Sequence, residues 1–213
     1  MMKKRFAALL AALLTVVTVL CAGSCRKEPE IPGLTDGEAK EILGELLPTA
    51  REIMRAAYGE GLLPVEGSEA KSAGPGAFFP VREGEAFGSV EAMKQAAGSV
   101  FSASYLRDTL YVLLFEGYYR SEEETGEEDE TVVTGNITPR YVEENGVLMV
   151  DLNYENHGAI AEPIPTTARV VSGNGSAVKV EIAYLLNGTQ AEKPMRIGLV
   201  LENGKWVLDG PVF

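Results

Sequence analysis

Residues 195–213 read MRIGLVLENGKWVLDGPVF, and this stretch indicates how the C-terminal half folds. Apolar residues dominate both sides of Asn203-Gly204, and Asn-Gly is a strong short-range signal for a two-residue hairpin turn. The flanks are rich in Val, Ile, Leu and Trp, which suits strands with one buried face. We therefore predict an antiparallel hairpin that turns at Asn203-Gly204.

Two earlier stretches carry the same kind of pattern. Residues 138–154, TPRYVEENGVLMVDLNY, predict two strands joined by a Glu-Asn-Gly turn. Residues 168–186, ARVVSGNGSAVKVEIAYLL, predict a second hairpin around Gly173-Asn174-Gly175. The segment LNGT at residues 186–189 contains a further Asn-Gly turn signal.

The N-terminal half has helical patterns instead. Thr35 and Glu38 form a capping box ahead of apolar residues that recur at helical spacing as far as Tyr58-Gly59. Pro48 lies inside this run, so we expect it to kink the helix or divide it near Leu47.

Two further helices are predicted downstream. Ser89 is the expected cap of SVEAMKQAAGSVF, residues 89–101, and Ser102 or Ser104 is the expected cap of a helix that Gly117 ends. The last helix carries a leucine stripe at Leu106, Leu110, Leu113 and Leu114.

Two segments show neither periodicity. Residues 59–88 are rich in glycine and proline, and AFFPVRE at residues 77–83 predicts a short edge strand within them. Residues 121–130, SEEETGEEDE, hold seven carboxylates in ten positions, a density that self-repels and predicts an exposed loop.

Helices that precede an antiparallel sheet describe an α+β domain. We expect N-terminal helices packed on a curved antiparallel sheet of about five or six strands. Residues 35–213 are long enough to form this as a single domain.

The first 24 residues have the three parts of a secretory signal peptide. A basic start at residues 3–5 precedes an uncharged apolar run at residues 6–20 and small residues at 22–24. That run is about 15 residues, short of the roughly 20 that cross a bilayer comfortably.

Residues 22–25, AGSC, resemble the lipobox of bacterial lipoproteins. In that family the cysteine after the small residues is diacylated and the signal peptide is cleaved just before it. The resemblance implies that Cys25 is the lipidated N-terminus, held at the extracytoplasmic face of the cell membrane, with residues 25–34 as a tether. An ordinary secreted protein and an uncleaved anchor remain alternatives.

Cys21 and Cys25 are not expected to act as partners. Cys21 follows a bulky leucine and so fits a lipobox poorly, and a disulfide between the two would close a very small loop inside an apolar leader. A structural zinc site needs four ligands, and the chain has only two cysteines and one histidine.

Charge restricts the partners of this chain. Removing residues 1–24 takes away three basic and no acidic residues, which changes the net charge from −12 to −15. Such a chain repels nucleic acid and anionic membrane surfaces, so we expect attachment through lipid and no nucleic-acid partner. We also expect a monomer.

The sequence shows no catalytic set, and we predict a protein that is not an enzyme. His157 is the only histidine and lies in a predicted loop, and no G-x-S-x-G marks a nucleophile. No phosphate-binding glycine motif occurs. The acidic segment lacks both the rigidity that a glycosidase pair needs and the ligand alternation of an EF-hand, so we expect no cofactor and no metal.

Partner binding is the alternative use of the two irregular segments. Aromatic residues near them are expected to be core or loop anchors, although an exposed Phe could also anchor a protein partner. The candidate contact residues are Phe78, Phe79, Glu122, Glu123, Glu124, Glu127, Glu128, Asp129 and Glu130.

The order of elements resembles the cystatin-like or NTF2-like architecture, in which N-terminal helices lie in the concave face of a bent antiparallel sheet. The closing LVLENGKWVLDGPVF, residues 199–213, looks like the last hairpin of many such domains, with Trp206 packed on the core. Domains of this kind often hold a small molecule between helix and sheet.

A narrower resemblance is to the cell-wall DL-endopeptidase inhibitor family of Gram-positive bacteria. It is carried by AFFPV, FGSVEAMKQAAGSVFSASYL, PRYVEENGVLMV and GLVLENGKWVLD, in that order along the chain. The resemblance implies an extracytoplasmic protein that binds a peptidoglycan hydrolase and restrains autolysis. A small-molecule-binding lipoprotein with no inhibitory role is the alternative.

Overall fold

The fold is described from a computed structural model that covers residues 33–71, 76–120, 135–154 and 160–212. These residues belong to one compact unit, Ile31–Phe213. Helices and antiparallel strands both contribute, so the predicted α+β class is confirmed. The predicted signal peptide and all but the end of the predicted tether lie outside the described residues.

The helices and strands of the described residues follow one another along the chain. The helices are α1 (Asp36–Tyr58), α2 (Val90–Val100) and α3 (Ala103–Tyr105), and α3 continues as two π-helical segments, Leu106–Leu110 and Val112–Glu116. The strands are β1 (Phe78–Pro80), β2 (Tyr118–Arg120), β3 (Gly135–Ile137), β4 (Tyr141–Glu144), β5 (Val147–Asp151), β6 (Glu162–Pro163), β7 (Arg169–Gly173), β8 (Ala177–Ile182), β9 (Tyr184–Leu186), β10 (Thr189–Gln190), β11 (Met195–Glu202) and β12 (Lys205–Leu208).

Helix α1 begins with the predicted capping box. The Glu38 N–H donates to Thr35 Oγ1 at 3.3 Å, and the Thr35 N–H donates to Glu38 Oε2 at 2.9 Å. The Thr35 N–H, together with the Thr35 hydroxyl, which donates to the same Oε2 at 2.7 Å, holds the pKa of Glu38 below its ordinary value because both stabilise the charged carboxylate. The helix ends as predicted after Tyr58, where the Gly59 N–H donates to the Arg55 carbonyl at 3.1 Å.

Pro48 does not divide α1, so that part of the prediction is wrong. The helix is continuous over 23 residues with Pro48 inside it. Proline removes one backbone hydrogen bond, but the buried side chains of Leu43, Leu47 and Ala50 hold the chain on the core on both sides of it. Tertiary packing therefore outweighs the local preference.

The two later helices have the predicted caps. Ser89 Oγ accepts from the Ala92 N–H at 3.1 Å, and Ser102 Oγ accepts from the Tyr105 N–H at 3.2 Å. The predicted leucine stripe lies on the core, but on π-helical turns that the pattern did not predict. One such turn is closed by the Gly117 N–H donating to the Val112 carbonyl at 2.8 Å.

All three predicted hairpins are confirmed, as β4–β5, β7–β8 and β11–β12. The Asn-Gly pairs at Asn145 and Asn203 have positive φ at both turn residues, as a type I′ turn requires. Asn187-Gly188 forms a fourth turn of this kind between β9 and β10. The turn at Asn174 is longer, and Asn174 Oδ1 accepts hydrogen bonds from the Ser176 and Ala177 N–H groups.

The strands pair in four separate sets rather than in one wide sheet. Their orders are β1–β5–β4, β10–β9–β6, β12–β11–β8–β7 and β2–β3. The expected sheet of about five or six strands is therefore not confirmed, since the widest set described has four. The second half of the hairpin predicted over residues 168–186 divides at Ala183, whose N–H donates to Thr167 Oγ1 and whose carbonyl accepts from the Ile164 N–H.

One hydrophobic cluster joins these elements. It contains the inner face of α1, the stripe after α3 and the inward side chains of the four-stranded sheet. Trp206 packs against this cluster while half-buried, which agrees in part with its predicted place in the core.

Candidate functional site

The space between α1 and the four-stranded sheet is filled by side chains. Ile53 and Met54 on α1 and Val180, Ile182 and Leu199 on the sheet are fully shielded from solvent. All of them belong to the same packed cluster. These side chains therefore occupy the place between helix and sheet where the alternative interpretation put a small molecule.

Arg140, which precedes β4, has the unusual property of being a buried cation. Its side chain is 3% exposed, and it donates from Nη1 to the Ala57 carbonyl at 2.8 Å and from Nη2 to the Gly59 carbonyl at 2.6 Å. Its guanidinium also lies 4.8 Å from the ring centroid of Tyr154. Among the described residues, Nε has no hydrogen-bond partner.

The neighbouring Tyr141 forms hydrogen bonds at the same end of α1. Its hydroxyl donates to the Ala56 carbonyl at 3.0 Å and accepts from the Leu62 N–H at 2.9 Å. Burial raises the pKa of Tyr141, so the phenol stays neutral and available as a donor. Gly61 permits this close approach, because a Cβ there would lie 2.6 Å from Arg140 Nη2.

The end of α1 explains why the polar side chains of Arg140 and Tyr141 are buried. A helix ends with carbonyl groups that lack intrahelical donors, and its C-terminus carries partial negative charge. The two side chains satisfy those carbonyls and join α1 to β4. The buried Asp151 is satisfied by donors instead, since its carboxylate accepts from Thr138 Oγ1 at 2.7 Å and from the Asn153 N–H at 2.9 Å.

A groove beside the middle of α1 is a concave feature with a largely apolar lining. It has a volume of about 380 Å³. It is lined by Gly44, Leu47, Pro48, Arg51, Glu162, Pro163, Ile164, Pro165, Leu185 and Val212.

Two charged side chains stand at this groove and pair with each other. Arg51 Nη2 donates to Glu162 Oε1, and the two side chains remain 49% and 42% exposed. An ion pair this exposed contributes little to stability, about 0–1 kcal/mol. The pair nevertheless connects α1 to β6 and adds charged groups to a groove lining that is otherwise mainly apolar.

No model of a known protein family matches the sequence, and no curated protein matches it significantly.

The sequence-predicted contact residues are only partly placed. Phe78 is 7% exposed, as the core interpretation of this ring expects, so it offers almost no surface to a partner. Phe79 is half-buried on the same strand. Cys25, His157 and the seven carboxylates of residues 121–130 lie outside the described residues.

Metal binding and membrane crossing find no support in the described residues. No group of three or more His, Cys, Asp or Glu side chains there is placed to hold a metal ion. Likewise, none of the helices described has the length and apolarity that a bilayer crossing requires.

Sequence analysis missed both the groove and the Arg140 cluster. Each is assembled from segments far apart in the chain, such as α1 and residues 162–165 for the groove. The available signal for the groove was local: a glycine and a proline four residues apart on one helix, followed much later by the proline-rich EPIP at residues 162–165.

Proposed function

We propose that this protein is a lipid-anchored, non-enzymatic extracytoplasmic binding protein that inhibits a peptidoglycan DL-endopeptidase, an autolysin, and so regulates cell-wall turnover. The observation that carries the proposal is the packed interior between α1 and the four-stranded sheet. With that space filled by its own side chains, the domain recognises its partner through its outer surface.

The N-terminal sequence supports the location. Cys25 follows the small residues of a lipobox-like AGSC, so the proposed N-terminus carries two acyl chains. Two chains give the stable membrane attachment that one alone does not. The anchor would place the domain on the extracytoplasmic face, next to the cell wall on which such hydrolases act.

The element order supports the narrower fold proposal. Helix α1 packs against β7 and β12, and the strands of that sheet are antiparallel. We propose a cystatin-like or NTF2-like arrangement on this basis, together with the resemblance of four ordered segments to the inhibitor family.

Charge supports a basic partner. The chain carries a net charge of −12, and residues 122–130 concentrate seven of its carboxylates. Complementary charge accelerates encounter more than it raises affinity. In this proposal Glu122, Glu123, Glu124, Glu127, Glu128, Asp129 and Glu130 attract a basic hydrolase, and the half-buried Phe79 adds apolar contact.

A binding experiment tests this proposal. Residues 26–213, produced without the lipid, are passed over an immobilised DL-endopeptidase catalytic domain at low and at physiological salt. We expect binding whose association rate falls with salt, and a variant with the seven carboxylates changed to amides should associate more slowly. An unchanged rate would remove the steering step, and no binding at any salt would contradict the proposal.

Small-molecule binding is the second candidate function. The alternative interpretation placed it between helix and sheet, where the described side chains of α1 and the four-stranded sheet are packed together. The groove beside Pro48 is the observation that supports this function, at a different place in the fold.

A further inference from the structure

The sheet β1–β5–β4 has one face towards the core and one face turned away from it. Pro64 forms an antiparallel bridge with Val81, and the Val81 N–H donates to the Leu148 carbonyl at 2.8 Å. Leu148 is buried in the core cluster and Val81 packs against that cluster, so this row of side chains points inward. Residues on either side of the row point outward, because successive side chains of a strand alternate between its faces.

Leu63, Val65 and Val147 therefore share the outward face, and we call these three residues the apolar patch. They are 42%, 41% and 38% exposed. Neighbouring strands lie about 4.8 Å apart, so Leu63 and Val147, which are two strands apart, are separated by about 10 Å. Single exposed apolar residues are ordinary on protein surfaces, whereas a group of them on one face is typical of an interaction surface.

The outward face is not exposed throughout. Phe78 and Met149 lie on the same face, but they are 7% and 1% exposed. Solvent reaches the face at the flank that holds Leu63 and next to the β4–β5 turn, where Val147 lies. The apolar residues that a partner can reach are therefore those of the patch rather than the predicted Phe78.

Carboxylates lie beside the apolar patch. Glu66 is next to it in the sequence, and Glu144 lies opposite Val147 in the register of β4 and β5. Both are exposed, and neither forms an ion pair within the described part of the chain. The guanidinium of Arg82, on the same face, donates to Glu85 Oε1 at 2.7 Å, so its charge is already neutralised. An apolar centre thus has an acidic rim.

We propose that the apolar patch is the surface on which this protein docks a basic partner protein, the peptidoglycan hydrolase of the proposed function. Protein interfaces have a desolvated apolar centre inside a polar rim, and the patch with Glu66 and Glu144 has this arrangement. The apolar side chains exclude water at the contact, and the two carboxylates face cations of the partner. This inference rests on the proposed function and adds the place of contact to it.

Two double variants of matched exposure test the place of contact. Leu63→Ser with Val147→Ser removes two apolar side chains from the patch. Leu186→Ser with Val171→Ser is the control, because these side chains are 43% and 37% exposed and lie on β9 and β7. Thermal unfolding of both double variants checks that the fold is retained.

Binding of residues 26–213 to an immobilised DL-endopeptidase catalytic domain is the measurement. We expect the patch variant to bind at least about tenfold more weakly than the wild type, mainly through faster dissociation. The control should bind like the wild type. If the wild type binds and the patch variant binds as tightly, or if the two double variants weaken binding equally, this inference is overturned and the proposed function stands. A wild type that binds no such hydrolase overturns both.

A second pair of variants tests the acidic rim. Glu66→Gln with Glu144→Gln should slow association by about two- to fivefold at low salt and leave dissociation nearly unchanged. Glu41→Gln with Glu45→Gln removes the same charge from exposed positions on α1 and should slow association less. Equal association rates in these two variants would overturn the role of the rim.

Discussion

Arg140 Nη2 lies 2.6 Å from the carbonyl oxygen of Gly59, and this contact joins the start of β4 to the end of α1. The cation is buried and, among the described residues, its hydrogen-bond acceptors are carbonyls rather than a carboxylate. Burying a charge is costly unless hydrogen bonds replace its hydration. The carbonyl groups at the end of α1 therefore stabilise the buried charge of Arg140, and Arg140 in turn supplies the hydrogen-bond donors that those carbonyl groups need.

Arg140→Met should lower the free energy of unfolding by roughly 3 kcal/mol, because hydrogen bonds to charged groups contribute roughly 1.5–3 kcal/mol each and two carbonyls lose their donor. Urea unfolding measures the change. Arg196→Met is the control, since that arginine is 71% exposed and pairs with Glu181 on the surface. We expect the control to cost less than about 1 kcal/mol. Equal costs in the two variants would contradict the capping role.

Pro48 is predicted to lower the stability of α1. Pro48→Ala restores the N–H that can donate to the Gly44 carbonyl and should raise the free energy of unfolding by about 1–3 kcal/mol. Pro165→Ala should bring no such gain, because Pro165 opens a short 3₁₀ turn, where proline is tolerated. Unchanged stability of Pro48→Ala would contradict this account of the helix.

The capping box should make stability depend on pH. The pKa of Glu38 is lowered from 4.5 in the folded protein, chiefly by hydrogen bonding to Thr35. Its stabilising contribution is therefore fully present above the unfolded value and is lost as pH falls through the folded pKa. Glu38→Gln should flatten this acid limb in urea unfolding between neutral pH and roughly pH 3. Glu41→Gln, exposed on the same helix, is the control, and an acid limb unchanged by Glu38→Gln would argue against the effect.

Two glycines allow the effect of backbone conformation on stability to be measured apart from the effect of packing. A Cβ at Gly204 or Gly175 would meet no atom within 4 Å, but only Gly204 has a φ of +78°. Gly204→Ala should therefore destabilise the protein by roughly 1–2 kcal/mol, the cost of left-handed backbone for a residue with a Cβ. Gly175→Ala should be close to neutral. Thermal unfolding of both proteins measures the difference, and equal midpoints would mean that the β11–β12 turn is not of type I′.

Local chemistry explains which elements could be predicted from sequence. The hairpin turns at Asn145, Asn187 and Asn203 each depend on an Asn-Gly pair that adopts positive φ. The caps at Thr35, Ser89 and Ser102 likewise depend on a side chain and a backbone N–H three residues away. Such features can be recognised from a few consecutive residues of the sequence.

Features assembled from distant segments could not be predicted in this way. The strand after β8 leaves the four-stranded sheet at Ala183 because Ile164 and Thr167 bond to it, and no local signal records that contact. The continuity of α1 through Pro48 depends on core packing, which overrides propensity. The groove needs α1, β6 and β9 to meet, so the sequence showed its residues but not their proximity.

The most direct measurement of the central claim is the rate at which a purified DL-endopeptidase clears a peptidoglycan suspension in the presence of residues 26–213. We predict dose-dependent slowing of the turbidity loss, complete near stoichiometric amounts of the two proteins. The seven-amide variant is predicted to slow clearing less at low salt. Unchanged clearing by several such enzymes, at every salt concentration, would contradict the claim that this protein restrains a cell-wall hydrolase.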